Sequence, residues 1–134
     1  MRFRAPLLAA LGDGQFVRIR AGDGPHRFIT IWAVVVQDRV FVRSWTMKPG
    51  GWWRTLLDEP YGAIEVGGRA VRVRARSVTS ERLNAAVDRA YLEKYDTRGS
   101  LKYARGLGRG RRRTTTTELL PRRPARPARR RRRA

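Results

Sequence analysis

Gly67-Gly68 stands between two runs that alternate apolar and polar residues, Ala63-Ile64-Glu65-Val66 before it and Arg69 to Val78 (RAVRVRARSV) after it. Adjacent glycines can both take positive φ, which the tight primed turns of β-hairpins require. The pair therefore fixes a hairpin, and on its outgoing strand Val71, Val73 and Ala75 face one way and Arg72, Arg74 and Arg76 the other. Connections this short join antiparallel strands only, because a parallel pair needs a long crossover.

Three further stretches have strand character. Phe16 to Arg20 alternates, with Val17 and Ile19 on one face. Phe28 to Val36 (FITIWAVVV) has no polar face and reads as a central strand covered on both sides. Val40 to Trp45 follows a polar connection, Gln37-Asp38-Arg39, that reads as a second hairpin turn without the usual glycine. After the break Met47 to Gly51, residues Trp52 to Glu59 form a short helix with 53, 56 and 57 on its apolar face, stopped by Pro60. Thr79 or Ser80 caps the best amphipathic helix, roughly 80–95, which has Glu81 in its first turn and carries Leu83, Ala86, Val87, Ala90, Tyr91, Lys94 and Tyr95 at three- and four-residue spacing. The Gly- and Arg-rich stretch 96–113 reads as a loop, and Thr114 to Leu120 as a last strand ended by Pro121. MRFRAPLLAALG at the N-terminus reads as a short helix or cap. This order predicts a mainly β chain, an antiparallel barrel or half-barrel with one longer amphipathic helix and a short one.

Bulk properties narrow the chemistry. With no cysteine and the single histidine His26, thiolate and multi-histidine metal sites and a cysteine nucleophile are excluded. A Ser-His-Asp triad would have to use His26, which lies in a turn-like stretch without an evident partner. The longest apolar run falls far short of the ~20 residues of a membrane span, and the expectation is a cytoplasmic protein. Residues 1–121 are expected to form one domain. The formal charge is +20, and residues 109–134 hold 12 Arg against the single Glu118. The tail 122–134, proline among repelling arginines, is expected to stay disordered.

The runs Thr30-Ile31-Trp32-Ala33-Val34-Val35-Val36 and Val40-Phe41-Val42-Arg43-Ser44 resemble the core of a bacterial family of unknown function. That family is similar to the pyridoxamine-phosphate-oxidase-like split barrels. The likeness continues through Gly51-Trp52-Trp53-Arg54, Ile64 to Gly68, Asp88-Arg89-Ala90-Tyr91 with Lys94-Tyr95, and Thr116 to Pro121, covering roughly residues 14–121. It departs at Ile31, where the family usually has proline, in the short basic segment after Tyr95, and in the Arg tail. The resemblance implies a split β-barrel that binds FMN or a deazaflavin, commonly across a homodimer interface, with an oxidoreductase role in which the cofactor does the hydride chemistry.

Arg43, Ser44 and Lys48 leave a strand and enter a glycine-bearing loop before a helix N-terminus near Gly51, a grouping that suits a phosphate. Four tryptophans crowd into 22 positions; Trp32 and Trp53 are assigned to the core, Trp45 or Trp52 to a ring contact. With Arg54 and Thr30 from the matching runs, the candidate cofactor-binding set is Arg43, Ser44, Lys48, Trp45, Trp52, Arg54 and Thr30. No residue stands out as catalytic. The alternative is a non-enzymatic module whose sheet arginines (Arg72, Arg74, Arg76, with Arg18 and Arg20) and tail hold nucleic acid or another polyanion. That strand lacks the interleaved aromatics of single-strand binders, so a solvated face is the plainer reading.

Overall fold

A computed structural model describes residues 2–14, 16–24 and 26–122. The elements are α1 (Ala5–Asp13), β1 (Val17–Ala21), β2 (Ile29–Ile31), β3 (Ala33–Val36), β4 (Arg39–Val42), α2 (Trp52–Asp58), β5 (Tyr61–Val66), β6 (Arg69–Ser77), α3 (Glu81–Lys94), α4 (Leu101–Leu107), α5 (Gly110–Arg113) and β7 (Thr117–Pro121). Every strand pairing is antiparallel, in the order β2-β1-β5-β6-β7-β4-β3. The two end strands are consecutive in the chain, so the sheet curls into a nearly closed seven-stranded barrel. The fold is mainly β with a few helices, as the sequence predicts. No described helix is long and apolar enough to cross a membrane.

The expected central strand Phe28 to Val36 breaks at Trp32. Its first half pairs with β1 and its second with β4, so the run spans the barrel's seam rather than its middle. Its unbroken apolar character has a different cause from the one expected. Ala33 and Val35 pack into the barrel interior, while Val34 and Val36 pack outward against α3. β4 obeys the same rule, with Val40 and Val42 inside and Phe41 outside.

Two cores result. One fills the barrel, with Ile19, Ile64, Val73 and Leu119 almost wholly buried, joined by Leu11 of α1 and by Phe3 just before that helix. The other lies between the β3–β4 wall and the helices, built from Phe41, Val87, Tyr91, Ala104 and Leu107. Both hairpins have two-residue turns with positive φ at each centre: Gly67 and Gly68 at 58° and 78°, and Gln37 and Asp38 at 54° and 59°. Arg39, expected in the turn, is the first residue of β4.

Other boundaries shift. Ser80 is the cap of α3, its hydroxyl accepting from the Leu83 N–H. On α2 the buried pair is Trp52 and Leu56, while Leu57 is exposed and Trp53 half-buried, because the helix packs by its 52/56 edge. The stretch expected as a loop contains α4 and α5, held by Ala104 and Leu107 in the outer core. β7 starts only at Thr117, because the hydroxyls of Thr114, Thr115 and Thr116 donate back to carbonyls three residues earlier and terminate α5. Residues 123–134 of the expected tail lie outside the described residues. Arg122 is docked on the sheet: its N–H donates to Arg72 O at 3.0 Å and its guanidinium pairs with Asp23.

Candidate functional site

The strand break at Trp32 frees backbone carbonyls, and α3 satisfies them with one stripe of side chains. Tyr91 Oη donates to Trp32 O at 2.7 Å and accepts from the Arg43 N–H at 3.0 Å. Lys94 Nζ donates to Ala33 O at 2.6 Å and to Leu11 O at 2.8 Å, and Tyr95 Oη donates to Ala33 O at 3.1 Å. Spacings of three and four residues put all three on one helix face. Burial raises the Tyr91 and Tyr95 hydroxyls far above the ordinary tyrosine range, so both remain donors. Burial lowers Lys94 to about 8. The two sides of the seam, Trp32 and the end of β4, are thus tied through a single buried phenol.

A cavity of about 410 Å³ lies along this seam, between β2 and the segment that leaves β4. That volume falls within the ~300–1,000 Å³ of small-molecule sites. Its walls are aromatic: Trp32, Trp45, Trp52 and Tyr103 all line it. Trp32 stacks on Tyr95 at 4.2 Å and meets Tyr103 edge-on at 6.2 Å; Trp45 meets Tyr103 at 5.3 Å. Trp45 is 44% exposed yet fixed. The Arg112 guanidinium stacks 3.6 Å from its ring, and Arg112 Nε donates to its carbonyl. A Cβ at Gly106 would lie 2.8 Å from the Trp45 ring, so a side chain there would push the indole from its seat.

Six of the seven residues singled out in the sequence meet at this cavity: Thr30, Arg43, Ser44, Trp45, Lys48 and Trp52. Arg54 does not line it; its Nε donates to Met47 O and its guanidinium lies over the Trp53 ring. Trp32, assigned to the core by sequence, packs against the outer core and also lines the cavity, and Trp53 packs partly against the barrel core.

Arg43 reaches the cavity, but its guanidinium points into the protein and is wholly buried. Nε donates to Thr116 Oγ1 at 2.8 Å, Nη1 to Asp88 Oδ1 at 2.5 Å and Leu107 O at 3.1 Å, and Nη2 to Asn84 O at 3.1 Å. All three nitrogens are engaged, so Arg43 is a strut between β4, α3 and α4. Ser44 is equally tied, its hydroxyl donating to Thr46 O and its N–H to Thr115 Oγ1. The Gly51 N–H donates to Lys48 O, and α2 is only seven residues long. Lys48, Thr30 and Thr46 are the exposed polar residues lining the cavity among those described, and the Thr46 hydroxyl accepts from the Lys48 N–H.

His26 lies elsewhere, exposed in the turn beside Gly22 and Gly24. On the sheet face Arg18 pairs with Glu65 at 3.0 Å and Arg76 with Glu118 at 2.6 Å, so part of that basic face is neutralised. Arg72 and Arg74 are exposed there.

Among families, a model described as "Uncharacterized protein conserved in bacteria (DUF2255)" matches residues 8–119. No curated protein matches the chain. Among solved structures, the chain is similar to the crystal structure of the conserved hypothetical protein Rv2991 from Mycobacterium tuberculosis. The TM-score is 0.58 at 13% identity, over 92% of this chain and 82% of that one. At such identity the likeness is one of fold.

Proposed function

The chain belongs to the bacterial family DUF2255, and we propose that its seam cavity binds a planar phosphorylated cofactor of the flavin or deazaflavin class. One observation carries this reading. Three indoles and a phenol from four separate segments converge on one cavity, with an ammonium, Lys48, that has no ion pair among the described residues at its edge. Aromatic walls favour a flat conjugated ring, and a cation at the mouth favours an anionic substituent. Lys48 takes the phosphate role that the saturated Arg43 cannot, helped by the Thr30 and Thr46 hydroxyls. The bound cofactor would supply any hydride transfer; the chain's own residues would bind, orient and shield the ring.

Ile29, Trp45 and Tyr103 are exposed apolar residues at this same cavity, and β2 is an end strand of the sheet. A second copy of the chain laid over the seam would bury them and close the site, which favours a homodimer.

Titration with FMN, a deazaflavin and riboflavin tests the proposal. FMN or the deazaflavin should bind, riboflavin should bind FMN's site about tenfold more weakly for want of its phosphate, and Lys48→Ala should erase that difference. Absence of binding by all three at millimolar concentration refutes it.

A second reading has its own support. Arg122, the last described residue, is anchored to Arg72 beside the exposed arginines of β6, and residues 123–134 carry seven more arginines in sequence. A polyanion such as nucleic acid would find both together. Its binding should weaken steeply with salt and on deletion of 123–134; salt-independent binding rules it out.

A further inference from the structure

We propose that the groove between α1 and the β5–β6 hairpin binds a single-chain carboxylate amphiphile, a fatty-acid-like anion. This groove is distinct from the seam and larger, about 690 Å³. Its floor is apolar: Phe3 and Leu7 from the α1 side, Val66 and Val71 from the hairpin. Leu7, Val66 and Val71 pack on the barrel core but remain only partly buried. An acyl chain laid there would complete their burial and extend the core outward, a gain that grows with each methylene.

The rim of the groove is cationic. Arg2, Arg4, Arg69 and Arg122 line it, and among the described residues no carboxylate does. Among the described residues Arg4 and Arg69 have no ion pair, and the nearest carboxylate to Arg2 is that of Asp38 at 3.9 Å, with both side chains largely exposed. Arg122 spends its two terminal nitrogens on Asp23, while its Nε is buried with no hydrogen-bond partner among the described residues. Cations gathered round an apolar trough repel one another, and an anionic head group relieves that repulsion while its tail fills the trough.

The charge pattern also decides between occupants. The last described residue, Arg122, lines the groove, but residues 123–134 are only arginine, proline and alanine. Such a segment has the same charge as the rim and nothing large and apolar to bury. A polyanion would match the rim but leave the floor wet. A neutral apolar compound would leave the arginines unpaired. An acyl carboxylate satisfies both halves of the site.

Calorimetric titration of the full chain with dodecanoate, octanoate and dodecyltrimethylammonium tests this. Dodecanoate should bind, and octanoate, four methylenes shorter, should bind at least about tenfold more weakly. The ammonium of equal chain length should not bind. The double variant Arg4→Glu, Arg69→Glu should weaken dodecanoate at least tenfold with an unchanged unfolding midpoint; should it fail to fold, Arg4→Gln, Arg69→Gln gives the same comparison with a smaller loss. The proposal is overturned if dodecanoate does not bind, if the ammonium binds as well as the carboxylate, or if neither double variant alters the affinity. Binding only to phosphatidylglycerol vesicles, with none to dodecanoate monomers, would make this a membrane-facing surface and overturn it too.

Discussion

Replacing Arg43 with methionine separates two roles that the sequence leaves indistinguishable. The guanidinium is fully buried and holds Thr116, Asp88, Leu107 O and Asn84 O. Methionine keeps the apolar stem and removes every donor. Losing one member of a buried ion pair costs roughly 3–5 kcal/mol. Asp88 lies toward the low end, because it is 28% exposed and keeps two bonds from Arg113 Nε. The buried acceptors left without donors add about 1 kcal/mol or more each, and the better burial of an apolar side chain offsets part of this. A net loss of about 4 kcal/mol is expected, equivalent to a fall of roughly 10–20 °C in Tm for a domain of this size. Thermal and urea unfolding of Arg43→Met read it directly. A loss below about 1 kcal/mol would refute the strut. If FMN binding vanished while stability stayed intact, Arg43 would be the phosphate ligand after all.

Gly106→Ala should push Trp45 out of its seat, lowering cofactor affinity and altering tryptophan emission while stability changes by less than about 1 kcal/mol, since alanine is also the better helix former; unaltered emission contradicts the wedge. Glu118 is buried; desolvation raises its pKa, but the hydrogen bonds from Arg39 and Arg76 outweigh that and hold it below the usual carboxylate range. Its contribution is therefore present above pH about 4.5 and fades as pH falls through its lower folded value, and Glu118→Gln should flatten the acid limb of a stability–pH curve. Lys94 has the opposite sense. With its folded pKa lowered to about 8 from 10.5, the unfolded chain holds more protons between those values, so stability should rise with pH across that window and Lys94→Met should lose the rise. Converting Gln37-Asp38 to Asn-Gly should stabilise the fold by about 1 kcal/mol in urea unfolding, because glutamine is a poor residue at the first positive φ and glycine meets the second more easily than Asp38 does.

Local signals were legible where chain neighbours decide the outcome. Gly67-Gly68 dictates its turn, and Ser80 with the spacing 83, 87, 91 and 95 dictates α3. The cavity was partly legible because one wall is continuous in sequence, from Arg43 to Trp52. Its other wall was hidden. Tyr103 and Leu107 ride on α4, where Gly106, Gly108 and several arginines mask the three-residue spacing of Leu101, Ala104 and Leu107, and packing rather than propensity makes the helix. The fate of Arg43 depends on Asn84 and Asp88, more than 40 residues away, and alternation with the outward-packed Phe41 was the only local hint that it would be covered. Likewise an apolar run such as Phe28 to Val36 does not reveal that it crosses a seam, since coverage by α3 and coverage as a central strand leave the same pattern.

The four indole N–H resonances in a nitrogen–proton correlation spectrum report the seam cavity most directly, because three of them line it and Trp53 does not. On titration with FMN or a deazaflavin, the signals of Trp32, Trp45 and Trp52 should shift together and that of Trp53 should stay in place. Four unmoved indole signals at saturating cofactor, or shifts confined to the backbone amides of Arg72 and Arg74, would contradict the account.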